Sequence, residues 1–379
     1  MYTEREGLPH LVTVRRVVYP SADALIQWDR LVDRTPGTDV TQLSAWASIR
    51  AEAGYRPLYL LAYRGKTVVG GALLLQRRLM GVLDICYLPY GPIVDAADDS
   101  PGSVTRALVD EIVKIARTRV ATFVQPPEGG DGISRALLAL GFRPSRAGIA
   151  PAGSYRLDLT PPLEEIRAGF SKRLKSWTNR WESKGVTVQE GDERDLPLLI
   201  ELMAHTAVRQ GFQPPTLSYV RTLYRTLAEN DHSTVFVGEV NGKPVSADLV
   251  TMVGGMVRGR LGGFDGSGET GKLSVPAAVR WHIIGWAKQR GYRWLDFGGL
   301  PEQMLTDMID RGIHTSDEWP SAQRSKLSFN GAPFRYPTPV ELIRPSLVLA
   351  SYDVLQHNEH GAKLVAAAKM MLRGQFRTR

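Results

Sequence analysis

The sequence predicts a mixed α/β protein in which one order of helices and strands occurs twice. Short apolar strands alternate with amphipathic helices, a segment rich in Pro and Gly at 143–162 divides the chain, and the pattern restarts after it. The length of 379 residues favours two or three domains. A hydrophobic content of 43% and a charged content of 23% are typical of a soluble globular protein.

The first half is predicted to run helix, helix, three strands, helix, strand. Helices are predicted where apolar residues recur with a 3.6-residue period, and strands where short apolar runs are bounded by turn residues such as RGK. The predicted helices cover 23–33, 41–54 and 103–119, and the predicted strands cover 57–63, 67–78, 82–90 and 120–126.

The second half repeats this order after an additional helix. Helices are predicted over 164–185, 195–211, 216–230 and 275–290, and strands over 233–240, 244–253, 256–264 and 292–299. This is a structural duplication without obvious sequence identity. Two further helix-like stretches follow Pro345.

Charge and cysteine content narrow the classes of function. The formal net charge of +8 permits a polyanionic partner such as nucleic acid. The single cysteine, Cys86, excludes an internal disulfide and a Cys-based zinc site, and it suits a reducing compartment. The N-terminus does not read as a signal peptide, and no apolar run is long enough to span a bilayer. We therefore expect a cytoplasmic protein without stable membrane insertion.

The stretch GGFDGSGETGKLSVP at 262–276 resembles two nucleotide-binding motifs, G-x-G-x-x-G and most of a P-loop. In both motifs the helix begins within the glycine run, but here Pro276 would then lie inside the helix and break it. We predict instead that Ser274 is the N-cap and that Pro276 lies in the first turn. Leu273 also stands where a P-loop needs Ser or Thr. We expect the loop to line an acceptor or acyl-donor site; the alternative is a plain connection.

The predicted helix 164–185 carries basic residues outside an apolar stripe. Such a face is either simply solvated or a track for a phosphate backbone, where Arg and Lys gain from counterion release. The candidate contacts with such a phosphate backbone are Lys172, Arg173, Lys175 and Arg180.

Other catalytic patterns are missing from the sequence or have a structural interpretation. There is no G-x-S-x-G and no H-E-x-x-H motif, and we expect no metal site. Cys86 lies in an apolar strand and is expected in the core. His357 and His360 are assigned to an exposed helix face. The segment RSKLSFNG at 324–331 is predicted to be a basic loop, in which Lys326 would not stand out by physics alone.

Several short motifs, taken in order, resemble the Fem family of aminoacyl-tRNA-dependent transferases. TQLSAWASIR resembles the family's Q-x-x-x-W helix, which ends here at Arg50, and YLPYGPIVD resembles a strand ending in G-P-hydrophobic-x-D. LDFGGLP resembles the D-F-G-G turn. SKLSFNG resembles F-K-x-x-F-G, with Lys326 and Phe329 matching and Ser325 and Asn330 departing. Gln125 stands where an acidic residue is common in the family.

The resemblance implies two tandem GNAT-like domains, each a mixed, mostly antiparallel sheet flanked by helices. Domain 1 is expected at 1–152 with the C-terminal segment 335–379, and domain 2 at 153–334. No long helical hairpin for tRNA is inserted. The implied reaction moves an aminoacyl group from a charged tRNA, as co-substrate and without a cofactor, to the amine of a peptide or peptidoglycan-precursor acceptor. We expect a monomer.

The resemblance also supplies candidate residues for the site. Lys326 matches the family's essential lysine, which stabilises developing negative charge or holds the tRNA end. The candidate substrate contacts are Arg50, Tyr219, Arg260, Asp296 and Phe329. Two other functions stay open: an acyl-CoA-dependent N-acyltransferase, and a non-catalytic tRNA-binding protein.

Overall fold

The structure is a computed structural model that describes residues 11–357, except 80, 82 and 211. The described chain forms two compact units. The first contains the chain up to residue 150 and the segment from 337, and the second contains residues 151–336. The limits predicted from the sequence are 152 and 335.

Over the residues that the structure describes, the first unit is one sheet with four α-helices from its N-terminal part and one from its C-terminal segment. The sheet order is β1-β2-β3-β4-β6-β15-β7, with β5 on β3; β4 and β6 are parallel and the other pairs are antiparallel. The strands are β1 (Thr13–Val17), β2 (Arg56–Arg64), β3 (Thr67–Leu79), β4 (Leu83–Leu88), β5 (Ile93–Val94), β6 (Ala121–Val124), β7 (Arg143–Pro144) and β15 (Val340–Ile343). The helices are α1 (Ala22–Arg34), α2 (Ser44–Ala51), α3 (Pro101–Ala116), α4 (Asp131–Ala139) and α12 (Ser346–His357).

Helical spacing explains how α3 covers this sheet. Val104, Leu108 and Ile112 recur every four residues, and all three are fully buried in the core formed with the strands. Pro101 begins the helix, where its missing N–H costs no hydrogen bond.

The Q-x-x-x-W motif holds this unit together. The Gln42 side chain is buried and accepts a hydrogen bond from the Leu73 N–H at 2.8 Å, while its amide donates to the carbonyls of Leu73 and Pro89. The Trp28 indole in turn donates to the Gln42 carbonyl at 2.8 Å. A buried amide with all these partners fixes the 3₁₀ turn Val40–Gln42, just before α2, against β3, so this motif residue has a structural role.

The second unit is a seven-stranded sheet in the order β14-β8-β13-β12-β11-β10-β9. Only β12 and β13 are parallel among its recorded pairs. The strands are β8 (Gly153–Asp158), β9 (Val186–Gly191), β10 (Ser233–Val240), β11 (Lys243–Val253), β12 (Met256–Phe264), β13 (Trp294–Leu300) and β14 (Ala332–Arg335). The helices are α5 (Leu163–Gly169), α6 (Lys172–Thr178), α7 (Leu196–Gln210), α8 (Leu217–Ala228), α9 (Val275–Gln289), α10 (Glu302–Leu305) and α11 (Ser321–Leu327).

The predicted fold class is confirmed, since both units have a mixed, mostly antiparallel sheet flanked by helices. Helix α9 begins at Val275 after Ser274, with Pro276 in its first turn, as predicted. Val275, Val279 and Ile283 are buried against the sheet. Among the helices that the structure describes, none is long and apolar enough to cross a membrane.

The prediction of one continuous helix over 164–185 is wrong. Phe170 has an extended backbone and ends α5, and the Ser171 N–H bonds to the Ser328 carbonyl at 2.9 Å. The Ser171 hydroxyl then caps α6 by accepting from the Leu174 N–H. The apolar stripe still packs on the core, because short helices keep the same spacing within each turn.

Two other local predictions need correction. The Pro- and Gly-rich segment 143–162 contains β7 and β8, and β8 pairs with both β13 and β14 inside the second sheet. The predicted loop 324–331 begins instead with the end of α11, which places Lys326 in the last turn of a helix. Pro320 precedes that helix, and Asn330 closes the turn after it with a φ of 54°.

Candidate functional site

A cavity opens in the second unit where β12 and β13 part. The two strands pair in parallel only from Met256 with Trp294 to Arg258 with Asp296. Beyond this point β12 carries an extra residue relative to β11, and β13 is irregular relative to β8 between Asp296 and Gly299. Bulges bend strands and re-aim side chains, so the sheet splits at this position.

The cavity has a volume of about 770 Å³ and is walled by strands and helices of the second unit. The strands β11, β12 and β13 form its floor, and α6, α9 and α11 contribute to its walls. Its charged lining residues are Arg173, Asp248, Arg260, Arg280, Asp296 and Lys326. A concave site with convergent polar groups of this size is suited to a substrate.

Lys326 projects from the end of α11 toward the irregular part of β13. Its Nζ donates a hydrogen bond to the Gly299 carbonyl at 2.9 Å. Gly298, next to it, has a φ of 88°, a conformation that favours glycine. Burial, followed by the nearby charge of Arg280, lowers the pKa of the Lys326 ammonium to about 8, and Asp296 opposes both effects.

Asp296 lies buried at the base of the parting strands. Its Oδ1 accepts from the Gly298 N–H at 2.8 Å, and its Oδ2 lies 3.5 Å from both Arg156 Nε and the Tyr336 hydroxyl. The Tyr336 hydroxyl also accepts from Arg258 at 3.2 Å. Asp296 therefore fixes the bulge that carries Gly298, and it counters the charge of two buried arginines.

Phe329 forms an apolar wall just after α11. It is 1% exposed, and its ring packs edge-on against Phe170 at 5.3 Å and tilted against Phe297 at 4.9 Å. These aromatic contacts hold the end of α11, and with it Lys326, against the sheet.

The predicted basic track lies partly at the cavity. Arg173 and Lys172 are both exposed on the same short helix. Arg173 lines the cavity, whereas Lys172 is not among its described lining residues. The Lys175 ammonium donates to the Ala168 carbonyl at 3.0 Å, and the Arg180 guanidinium donates to the Ser176 carbonyl. All four cations belong to the α6 region, so a polyanion that approaches α6 would also meet the cavity opening.

The remaining predicted substrate residues divide between this cavity and other places. Arg260 is the extra residue at the β12 bulge, and it lines the cavity. Tyr219 is buried in the first turn of α8 and is not among the cavity's described lining residues. Arg50 belongs to the first unit, where its guanidinium lies 4.6 Å from the Tyr55 ring centre. The structure thus brings together Lys326, Arg260, Asp296 and Phe329.

The glycine-rich loop contributes to the cavity without forming a phosphate cradle. Gly268–Lys272 forms a 3₁₀ turn ahead of α9, and Gly271, Leu273 and Ser274 line the cavity. A Cβ on Gly271 would collide with the Gly266 carbonyl, so this glycine allows the loop to fold back on itself. This close approach explains why position 271 is a glycine, without a role in binding phosphate.

Sequence reasoning missed two charged residues in the cavity, Asp248 and Arg280. Asp248 lies in β11 between apolar residues, and a charged residue within an apolar run was the available signal. Arg280 lies on α9, where its guanidinium donates to the Ser325 hydroxyl at 3.4 Å. Among the described residues, no group of three or more His, Cys, Asp or Glu is arranged to hold a metal ion.

Comparison with known proteins identifies what this architecture resembles. A family model described as an acetyltransferase (GNAT) domain matches residues 168–312. The solved structure "Crystal structure of FemX" superposes with a TM-score of 0.73 at 18% identity, covering 88% of this chain and 98% of that one. The Fem-family resemblance is confirmed. A tandem GNAT protein from the clavulanic acid biosynthesis pathway shares the fold with a TM-score of 0.50 at 14% identity, over 88% of this chain and 98% of that one.

Sequence relatives of this Fem-like chain include two curated staphylococcal proteins, both named lipid II:glycine glycyltransferase. The protein from Staphylococcus aureus (strain COL) is 26% identical over 226 residues, which is 57% of this chain and 53% of that protein. The protein from Staphylococcus haemolyticus (strain JCSC1435) is 26% identical over 235 residues, or 58% and 55%. The Fem-like chain therefore spans about half the length of the curated relatives it matches.

Proposed function

We propose that the protein is an aminoacyltransferase that moves an aminoacyl group from a charged tRNA to the amine of a peptide acceptor. The observation that carries the proposal is the cavity at the parting strands, with the Lys326 ammonium held inside it. The names of the sequence relatives, lipid II:glycine glycyltransferases, support an aminoacyl group as cargo and a peptidoglycan precursor as acceptor class. A peptide natural product is the other acceptor class.

The reaction requires positioning and charge stabilisation. An aminoacyl ester is already activated, so the acceptor amine attacks the carbonyl carbon directly. The C–N bond forms, the C–O ester bond breaks, and the ribose oxygen leaves as a hydroxyl that takes up the proton lost by the amine. The tetrahedral intermediate carries an oxyanion, which a preorganised cation stabilises. We assign this role to Lys326, and we assign to Arg260 a contact with the acceptor. The cations of the α6 region are assigned to the tRNA phosphates.

A donor assay tests the proposal. We expect transfer of a radiolabelled amino acid from charged tRNA to a peptidoglycan-precursor pentapeptide or to an amine-bearing peptide, and we expect RNase treatment before mixing to abolish it. Acetyl-CoA supplied alone should give no product. The outcome that contradicts the proposal is RNase-insensitive transfer from acyl-CoA, and transfer from neither donor would favour a tRNA-binding scaffold.

One observation favours a second candidate function, an acyl-CoA-dependent N-acyltransferase. The family model that matches residues 168–312 is described as an acetyltransferase domain. The same cavity and the same Lys326 would then serve a thioester donor. The two donors in the assay above separate these functions. Cytoplasmic location and a monomeric state stay predictions.

The charge of Lys326 predicts a pH dependence of transfer. Since its pKa is about 8, the ammonium loses its proton as the pH rises through that value. A role as a cation then predicts that kcat/KM declines above about pH 8 and falls roughly tenfold for each further pH unit. Initial rates between pH 6 and 9.5, corrected for spontaneous ester hydrolysis, measure this.

The Lys326→Arg variant provides the comparison for this profile. Arginine stays protonated over the whole range, so the part of the alkaline decline that belongs to Lys326 should be absent. The ratio of the variant's kcat/KM to that of the wild type should therefore rise above about pH 8, even though the variant is slower at neutral pH. A wild-type rate that keeps rising to pH 9.5 would contradict a cationic role for Lys326.

A further inference from the structure

A carboxyl group in the floor of the cavity is unused by the chemistry assigned above. Asp248 lies in the middle of β11, between apolar neighbours, and lines the cavity. It pairs across the sheet with Gly262 of β12. A Cβ on Gly262 would collide with Asp248 Oδ1, so the glycine leaves the space that this carboxylate occupies.

The surroundings of Asp248 lack a fixed partner for its charge. In the part of the chain that the structure describes, no group makes a hydrogen bond or a close ion pair with the Asp248 carboxyl. Arg280, reaching in from α9, acts on it only at a distance, and burial raises the pKa of the carboxyl. An incompletely compensated carboxylate in a confined site is costly, and a cationic ligand group would remove this cost.

Charge in the cavity is arranged with two signs. The cations Arg173, Arg260, Arg280 and Lys326 line it together with the carboxylates of Asp248 and Asp296, of which Asp296 already lies against Arg156. An aminoacyl-tRNA has matching chemistry, since its nucleotide part is anionic and the amino acid at its end carries an ammonium group. An acetyl or hydroxyacyl group offers no cation to Asp248.

We propose that Asp248 binds the ammonium group of the aminoacyl moiety, so that the donor site selects acyl groups that carry a cationic amine. This inference rests on the proposed function and names the recognition element of the same cavity. It assigns Asp248 to donor selection and Lys326 to the carbonyl oxygen. Gly262 is a positioning residue for the carboxylate.

Two donor pools test this assignment. One is bulk tRNA charged with the full set of amino acids, and the other is the same charged tRNA after nitrous acid has converted the α-amines to hydroxyls. For the wild type we expect kcat/KM to favour the aminoacyl pool by at least about 30-fold. For Asp248→Asn we expect transfer from the aminoacyl pool to fall by about that factor, with a change of no more than about threefold for the hydroxyacyl pool.

Further variants keep the result interpretable. Asp248→Glu keeps the charge and should retain part of the preference. Asp110→Asn, which removes an exposed carboxylate on α3, should match the wild type with both pools. Thermal unfolding of each variant checks that it is folded.

Each outcome decides a different claim. Equal transfer from both pools by the wild type would overturn ammonium recognition and leave the aminoacyltransferase proposal standing. If Asp248→Asn lost transfer equally with both pools, ammonium recognition would be overturned. Asp248 would then be the proton acceptor of the incoming amine. No transfer by the wild type from either pool would overturn the proposed function and, with it, this inference.

Discussion

The Lys326→Met variant is expected to transfer at least about 100-fold more slowly than the wild type while melting at the same temperature or higher. Removal of one preorganised group that stabilises an oxyanion typically costs a factor of 10²–10³ in rate. Methionine keeps the apolar stem of the side chain and removes only the charge and its hydrogen bond to Gly299. Gly299 is exposed, so water can replace that bond.

The expected stability follows from the pKa of Lys326. Its value in the folded protein, about 8, lies below the ordinary 10.5, so the unfolded chain binds more protons between these two values. Stability therefore rises as the pH increases through this window, and at neutral pH the folded state carries a penalty of about 1–3 kcal/mol for the buried charge, allowing for its partial exposure. The methionine variant lacks this penalty.

Lys288→Met is the matched control. Lys288 also donates to main-chain carbonyls, those of Leu159 and Thr160, but it is not among the residues that line the cavity. Its loss should leave transfer within about threefold of the wild type. Near-wild-type transfer by Lys326→Met would remove Lys326 from the chemistry. Slow transfer accompanied by a lower melting temperature would make its role structural.

Local patterns were sufficient to predict most of the elements but not their breaks. Hydrophobic periodicity is a property of neighbouring residues, so α3, α9 and the hairpin β10–β11 were predicted close to their observed bounds. Pro276 fixed the start of α9 because the proline ring is tolerated only in the first turn. The break at Phe170 depends on a hydrogen bond from Ser171 to the distant Ser328, which no local pattern contains.

Part of the candidate site was predicted through the family resemblance. The residues that reach the cavity only because of how the strands pair were missed. Lys326 was assigned from a family motif, since a lysine in a basic segment carries no local signal. Asp248 enters the cavity because β11 pairs with β12 so that Gly262 lies opposite it. That juxtaposition depends on the strand pairing and the bulge, and neither can be read from an apolar run with one acid.

Asp296→Asn is expected to produce the largest loss of stability, about 3 kcal/mol in the free energy of unfolding. The asparagine keeps the volume and can still accept from the Gly298 N–H. It removes the negative charge beside Arg156 and near Arg258, which are 5% and 8% exposed, and leaves both guanidinium groups buried without it. For a unit of this size, the melting temperature should fall by roughly 6–12 °C.

Asp317→Asn is the control that distinguishes the effect of burial from the effect of losing a carboxylate charge. Asp317 also pairs with an arginine, Arg324 at 2.9 Å, but its side chain is fully exposed. Loss of that ion pair should leave the unfolding free energy unchanged within the error of the measurement, because water screens exposed charges. Denaturant unfolding of both variants measures the contrast. If the two variants lost equal stability and Asp296→Asn raised KM for the acceptor, Asp296 would be a substrate contact. If only Asp296→Asn lost stability, Asp296 is the residue that holds the parting strands in place.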